Sequence, residues 1–171
     1  MKIPPRYETA EWKDVPERIQ VAVDAIRDTR KGIYLHGESG TGKTHIAYAI
    51  AKHVEDDLHL KVKIYNSPNL FALIRDSMDG EYRGFMRDLL DYRGLLIIDD
   101  VGAEKPTEWV FEQFYRLVNT RYEQKLPVIF TSNLSLQNLA EKLDGRIPSR
   151  IVEMCEVIEL GGDDRRLSGK K

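Results

Sequence analysis

The sequence predicts a three-layer α/β fold in which helices cover both faces of a mainly parallel sheet of five strands. Two observations lead to this prediction. Short apolar segments alternate with segments of helical periodicity along nearly the whole chain, as in folds whose parallel strands are joined by right-handed crossovers. In addition, the segment GLLIIDD at 94–100 is apolar at consecutive positions, which is typical of a strand buried on both faces.

The individual elements follow from the residue patterns. Strands are predicted where β-branched and aromatic residues form short runs, and helices where apolar residues recur every three or four positions. Ser67 and Pro68 are predicted to start one helix as its N-cap and first-turn residues. The predicted strands are 31–36, 62–65, 94–100, 126–132 and 155–160, and the predicted helices are 44–54, 67–78, 81–92, 107–124 and 136–143.

Length and composition favour one globular domain. A chain of 171 residues can bury about 70% of the surface that its unfolded form exposes. We therefore expect a folded domain at 1–162 and a disordered polar tail at 163–171. Hydrophobic residues make up 42% and charged residues 32% of the chain, which is the balance of a soluble globular protein rather than a disordered or membrane protein.

Charge and cysteine content narrow the function classes. A net charge of −2 argues against a protein that coats nucleic acid by bulk charge, so any such contact is local. The N-terminus lacks the apolar core of a secretory signal, which predicts a cytoplasmic protein without a membrane partner. Cys155 is the single cysteine, and we interpret it as a buried structural thiol rather than a nucleophile.

The strongest functional signal is the segment GESGTGKT at 37–44. It fits the phosphate-binding pattern G-x-x-x-x-G-K-[ST], and it follows a predicted strand and opens a predicted helix, as this P-loop requires. We expect Lys43 to reach the β and γ phosphates and Thr44 to ligate Mg²⁺, so ATP or ADP and Mg²⁺ are the predicted ligands. The predicted nucleotide-contacting residues are Gly37, Glu38, Ser39, Gly40, Thr41, Gly42, Lys43, Thr44 and His45.

Polar residues end two further predicted strands. Asp99 and Asp100 end the strand at 94–100, and Asn133 follows the strand at 126–132. The carboxyl ends of parallel strands meet at one edge of the sheet, where ligands of α/β folds bind. We expect Asp99 to complete the magnesium shell, Asp100 to orient or deprotonate the attacking water, and Asn133 to hold that water or the γ-phosphate. The alternative is that all three are turn and capping residues.

Four segments in order resemble one family: GESGTGKT, LLIIDDVGAEKPTEW, FTSN and GRIPSRI. Together they resemble the AAA+ ATPases of the DnaC type, the bacterial helicase loaders, and the related IstB transposition helpers. The resemblance runs from Ile3 to about Gly161. It implies an AAA+ core without a C-terminal lid, with Asp99 and Asp100 as the Walker B pair and Asn133 as sensor 1.

The same resemblance implies that assembly is a condition of ATP hydrolysis. Arg150 matches the family's arginine finger, which reaches the γ-phosphate in the neighbouring subunit, and Arg146 is the nearest competitor for this role. Such a finger is worth about 10³ to 10⁵ in rate. Self-association into a ring or spiral with ATP is therefore expected. The alternative for either residue is a surface arginine in a salt bridge.

A single-stranded DNA contact is expected between the second and third strands. The resemblance places there an extra helical element that tracks DNA inside a spiral of subunits, and cations with aromatic rings suit phosphates and bases. The alternative is ordinary packing, with phenylalanines in the core and arginines paired with neighbouring aspartates. The candidate DNA contacts are Arg75, Tyr82, Arg83 and Arg87.

The partner is less closely defined than the chemistry. A replicative DNA helicase is the implied partner, yet the N-terminal domain with which loaders grip the helicase is expected to be absent from this chain. A transposition helper shares every motif, and a nucleotide-dependent scaffold that does not hydrolyse ATP is a further alternative. Ile3 and Tyr7 are candidates for adenine contacts because they precede the first strand.

Overall fold

The computed structural model describes residues 2–79, 84–105, 107–143 and 145–162, with side chains up to Ser77 in the first of these ranges. Three predictions lie outside the described residues: the DNA contacts of Tyr82 and Arg83, and the tail at 163–171.

Five strands form one sheet in the order β2-β3-β4-β1-β5, and every neighbouring pair is parallel. This confirms the predicted α/β class and the strand count. The order places β1, which precedes the glycine-rich loop, beside β4, and places β4 beside β3. The strands are β1 (Gly32–His36), β2 (Val62–Asn66), β3 (Leu95–Val101), β4 (Val128–Ser132) and β5 (Cys155–Glu159).

Helices bury both faces of the sheet. Along β1, Ile33 and Leu35 join one apolar cluster and Tyr34 the other, because successive side chains of a strand point to opposite faces. The first cluster contains residues of α1, α2 and α3, and the second contains residues of α4 to α8. The helices are α1 (Glu17–Asp24), α2 (Ile26–Thr29), α3 (Lys43–Asp56), α4 (Ser67–Asp79), α5 (Phe85–Leu90), α6 (Glu108–Glu123), α7 (Leu136–Lys142) and α8 (Arg146–Met154).

Among the described residues, three α-helices were not predicted from the sequence patterns: α1, α2 and α8. They have 8, 4 and 9 residues and bury two, one and three of them, so few apolar positions mark each helix. In α8 the buried residues are Ile147, Pro148 and Ile151. Pro148 lies in the first turn, where a missing backbone N–H leaves no hydrogen bond unmade.

Two predicted helix starts differ from the structure. The helix predicted at 81–92 is confined to α5 in the described residues, and it follows Gly84, whose φ is +107°. Ser67 was predicted as an N-cap, but it is the first residue of α4 and its hydroxyl donates a hydrogen bond to Glu104 at 2.9 Å. A long-range carboxylate has replaced the local capping contact.

Cys155, the first residue of β5, is buried, as predicted, and burial raises the pKa of its thiol well above the usual value. Within the described ranges, no helix is long and apolar enough to cross a membrane.

The core contact made by Phe114 provides a test of the fold. Phe114 is fully buried, and its ring lies edge-on to those of Phe71 and Phe130. We expect Phe114→Ala to lower the free energy of unfolding by about 3 to 5 kcal/mol in urea titrations, because it leaves a cavity. Val21 is 65% exposed. The control Val21→Ala should therefore change the free energy of unfolding by less than about 0.5 kcal/mol. Equal effects of both substitutions would contradict this packing.

Candidate nucleotide site at the carboxyl edge of the sheet

The glycine-rich loop connects β1 directly to α3. Gly42 precedes the helix with a φ of +98°, a conformation that side chains disfavour. Gly37 also has a positive φ, and a side chain there would collide with the backbone carbonyl of Leu160. The sequence pattern is therefore matched by a backbone that only glycine adopts readily, and the loop ends at the N-terminus of a 14-residue helix.

Lys43 is the first residue of α3 and is only 7% exposed. Its ammonium donates hydrogen bonds to the carbonyl oxygens of Gly37 at 2.8 Å and Glu38 at 2.7 Å. These contacts hold the charge over the loop rather than in solvent. The positive end of the helix dipole and the Lys43 ammonium can both attract phosphate oxygens at this position.

The carboxylate of Asp99 connects three elements. The hydroxyl of Thr44 in α3 donates to it at 3.0 Å, and the hydroxyl of Thr131 in β4 donates to it at 2.6 Å. Asp99 is 5% exposed, and burial raises its pKa although both hydroxyls favour the ionised form. The contact between Thr44 and Asp99 brings together the two residues that the sequence predicted as magnesium ligands.

Asp100 is turned out of the strand ladder. The pairing of β3 with β4 shifts between Ile98 and Val101, and Asp100 itself has a φ of +61°. Its backbone N–H donates to the hydroxyl of Thr131 at 2.9 Å. Its carboxylate accepts a hydrogen bond from the side-chain amide of Asn133 at 3.3 Å. The structure thus brings together the two residues predicted to hold the attacking water.

Other side chains fix the ends of β3 and β4. Ser132 donates from its hydroxyl to the carbonyl of Val101 at 2.6 Å. Tyr34 donates from its hydroxyl to the carbonyl of Leu134 at 2.8 Å, and burial raises the pKa of Tyr34 to about 12. These supports, and that of Thr131, were not assigned from sequence. A polar residue at the end of an apolar strand was the one available signal.

Comparison with known protein families identifies the family of this chain. The family model described as "IstB-like ATP binding protein" matches residues 7–171. The chain belongs to this family. The resemblance found in the sequence is confirmed, and nucleotide binding follows from the family and from the loop geometry.

Two curated relatives of this chain have different described roles. The chain is 30% identical over 149 residues to the replicative helicase loader DnaI of Bacillus subtilis, covering 80% of this chain and 48% of that protein. It is 27% identical over 152 residues to an IS21 putative ATP-binding protein of Pseudomonas aeruginosa, covering 86% of this chain and 57% of that protein. The chain spans about half the length of these curated relatives.

Solved structures agree on the fold. The crystal structure of the DnaC helicase loader matches with a TM-score of 0.80 and 24% identity, covering 92% of this chain and all of that one (100%). The replication initiator DnaA bound to AMPPCP and single-stranded DNA matches with a TM-score of 0.77 and 22% identity, covering 95% of this chain and 52% of that one. At these identities the likeness shows a common fold.

The remaining predicted nucleotide contacts lie around the loop of this IstB-like chain. Glu38 and Ser39 are exposed on the loop, whereas the imidazole of His45 lies 3.7 Å from the carboxylate of Asp14. Tyr7 stacks on Tyr48 of α3 with ring centroids 4.6 Å apart. The N-terminal segment therefore packs against the helix that follows the phosphate loop.

Arg150 lies on α8 and is anchored to α6. Its guanidinium donates to the side-chain oxygen of Asn119 at 2.6 Å and to the hydroxyl of Tyr115 at 2.9 Å. Arg146 and Arg150 both lie over the ring of Tyr115, each 4.8 Å from its centroid. In the described part of the chain, the hydrogen bonds of Arg150 go to α6 and α8, and none reaches the phosphate loop of its own chain.

The described DNA candidates lie on the opposite side of the sheet from α3. Arg75 is exposed on α4, and its guanidinium lies 4.8 Å from the centre of the Trp109 ring. Arg87 on α5 has an 87% exposed side chain whose Nε lies 3.9 Å from the carboxylate of Asp91. Phe71, in the same helix as Arg75, is buried in the core and is not available to stack on a base.

The raised pKa of Asp99 predicts how the site affects stability. Because the folded state takes up this proton more readily than the unfolded chain, the ionised carboxylate opposes folding, and stability falls as pH rises through the raised pKa. In urea titrations without nucleotide at pH 7, we expect Asp99→Asn to be at least as stable as the wild type. The difference should disappear below the ordinary pKa of aspartate.

The exposed Asp91 provides the control for this measurement. Its side chain is 69% exposed, so Asp91→Asn should barely change the unfolding midpoint at either pH. A marked loss of stability in Asp99→Asn at pH 7 would show that the hydrogen bonds from Thr44 and Thr131 outweigh the cost of burying the charge.

Proposed function

We propose that this chain is an ATP-hydrolysing module that binds Mg²⁺-ATP, assembles with copies of itself and acts on single-stranded DNA during helicase loading. The contact between Thr44 and Asp99 carries this proposal. It joins the end of the phosphate loop to the end of β3 at 3.0 Å, and the water-holding pair of Asp100 and Asn133 lies directly beside it.

The donor set fits magnesium. Thr44 and Asp99 present oxygen atoms, which are the ligands that Mg²⁺ prefers, and this ion usually takes its other ligands from substrate phosphates and water. When bound, Mg²⁺ would neutralise charge on the phosphate oxygens. Thr44 and Asp99 would hold it, and Lys43 would bind the β and γ phosphates.

Asp100 and Asn133 supply the chemistry of hydrolysis. Asp100 accepts the hydrogen bond from Asn133 through one oxygen, which leaves acceptor capacity on the carboxylate for the attacking water. The water oxygen bonds to the γ-phosphorus, the bond to the bridging oxygen breaks, and ADP leaves. In this role Asp100 orients the water or takes its proton, and Asn133 fixes the carboxylate.

A second copy of the chain would complete the site. The guanidinium of Arg150 is held by Asn119, Tyr115 and the backbone of α8, and it makes no described contact with its own phosphate loop. A preorganised arginine of this kind suits the role of a finger that stabilises charge in a neighbouring active site.

Subunit mixing tests the composite site. We expect Lys43→Ala to abolish ATP binding, whereas Arg150→Ala binds ATP normally and loses hydrolysis. A Lys43→Ala subunit can still offer Arg150 to the intact loop of an Arg150→Ala subunit. In an equimolar random mixture, therefore, about a quarter of the interfaces should be active. Phosphate release measures this recovery.

The same mixing distinguishes the two arginines and tests the trans arrangement. Arg146→Ala removes the other cation over Tyr115. If Arg150 is the finger, Arg146→Ala should keep its activity and Arg150→Ala should lose it. If Arg146 is the finger, Arg146→Ala should be the inactive variant and Arg150→Ala the active one. Normal turnover in both variants would remove the finger from the proposal. Inactive variants that do not recover on mixing would place the arginine in its own subunit's site.

The DNA contact is supported by exposed cations on α4 and α5. Arg75 and Arg87 lie on neighbouring helices, and a protein of the same fold, DnaA, has been solved with single-stranded DNA. Tyr82 and Arg83, the other two DNA contacts predicted from the sequence, lie outside the described residues.

The salt dependence of DNA binding tests this surface. With an oligothymidine probe, we expect Arg75→Ala and Arg87→Ala each to weaken binding and to reduce the slope of log K against log salt by about 0.7, the value for one lost phosphate contact. Arg18 is a matched exposed arginine, paired with Glu156 on β5 at the other end of the sheet. Arg18→Ala should leave the slope unchanged, and equal slopes for all variants would contradict the assignment.

The family leaves two partner classes, and relatives of both kinds match the chain. We propose the replicative helicase. The IS21 relative supports a transposase as the second candidate. A pull-down with helicase and with transposase, each with ATP, separates the two, and ATP binding without turnover in the presence of DNA would instead support a scaffold.

A further inference from the structure

Glu104 is a buried acidic residue that the proposed site does not use. It lies between β3 and α6 and is 6% exposed. One carboxylate oxygen accepts hydrogen bonds from the hydroxyl of Ser67 at 2.9 Å and from the backbone N–H of Gly102 at 3.1 Å. Among the described residues, these two groups are its hydrogen-bond partners. A carboxylate buried without a described cation is costly, so its contacts call for an explanation.

The contact between Glu104 and Gly102 fixes the turn that follows Asp99, the proposed magnesium ligand. Asp100 has a φ of +61° and Gly102 a φ of +90°, so the backbone leaves β3 through left-handed conformations. A non-glycine residue in such a conformation is strained and persists when its surroundings hold it. Thr131 and Ser132 of β4 hold the turn from one side. Glu104 holds it at the amide of Gly102.

The contact between Glu104 and Ser67 connects this turn to helix α4. Ser67 is the first residue of α4, it is fully buried, and its hydroxyl donates to Glu104. A carboxylate at a helix N-terminus also interacts favourably with the helix dipole. The helix that begins at Ser67 carries Arg75 on its exposed side. One side chain therefore contacts both the turn at Asp100 and the start of the helix that bears a candidate DNA contact.

We propose that Glu104 is a positioning residue that couples the first turn of α4 to the conformation of Asp100. A displacement of α4 by a bound strand would move Ser67, then the Glu104 carboxylate, then the amide of Gly102, two residues from the carboxylate that orients the water. This inference rests on the proposed function, because it concerns the residue assigned to hydrolysis. It adds a route by which DNA on α4 sets the rate of turnover.

Ser67→Ala tests the coupling without requiring hydrolysis. Amide exchange at Gly102, followed by NMR, should become about tenfold faster when the hydroxyl is removed, because the loss of a hydrogen bond to a charged group loosens its carboxylate. Ser77 is the matched control: it is a buried serine in the same helix, and its described hydrogen bond goes to the carbonyl of Ile74. Ser77→Ala should leave Gly102 exchange at the wild-type rate. Unchanged exchange in Ser67→Ala would overturn the coupling.

Kinetics distinguish positioning from general loss of structure. At a temperature below the melting transition of every variant, we expect Ser67→Ala to keep the wild-type KM for ATP, to lower kcat about three- to tenfold, and to reduce the stimulation by oligothymidine. In a double-mutant cycle, Ser67→Ala should add little to Glu104→Ala, because without the carboxylate the Ser67 hydroxyl has no route to Gly102. Additive effects, or a kcat equal to that of Ser77→Ala, would overturn the proposal.

The two readouts separate the two proposals. If the wild-type chain hydrolyses no ATP with or without DNA, the proposed function fails, and Gly102 exchange alone then decides whether Ser67 and Glu104 are coupled to the turn. If the wild type hydrolyses ATP but Gly102 exchange does not respond to Ser67→Ala, the coupling fails and the proposed function stands.

Discussion

The rest of the site depends on the hydrogen bonds accepted by the buried carboxylate of Asp99. It is reached by Thr44 from α3 and by Thr131 from β4, so it connects the phosphate loop to the two adjacent strands at the centre of the sheet. This meeting is possible because the strands are parallel and their carboxyl ends share one edge. A one-residue slip of β3 would turn Asp99 to the other face and separate all three elements.

Around Asp99, the site is built from buried polar groups that are fixed by hydrogen bonds. Thr131 serves two neighbouring residues, since it donates to the Asp99 carboxylate and accepts from the backbone N–H of Asp100. Ser132 and Glu104 hold the following residues of the turn. Such a network costs desolvation, but it holds Asp100 in a conformation that an unsupported aspartate would rarely adopt.

The residues proposed for hydrolysis and those proposed for its control lie on different parts of the fold. The loop and the aspartates occupy the carboxyl edge, the arginines of α8 pack on Tyr115 of α6, and the exposed cations of α4 and α5 lie beyond β2 and β3. This separation fits the proposal that a second subunit completes the site and that DNA on α4 acts on it from a distance, through Ser67 and Glu104.

The sequence by itself determined the fold class, the five strands, and the phosphate and aspartate residues, because strand periodicity and the spacing from Gly37 to Thr44 depend on local backbone requirements. It did not predict α1, α2 and α8, which are short helices that bury only one to three residues each. Only the tertiary structure decided that the Ser67 hydroxyl meets Glu104, 37 positions away, instead of capping its own helix. Long-range hydrogen bonds depend on which strand ends become neighbours, and no local pattern encodes that.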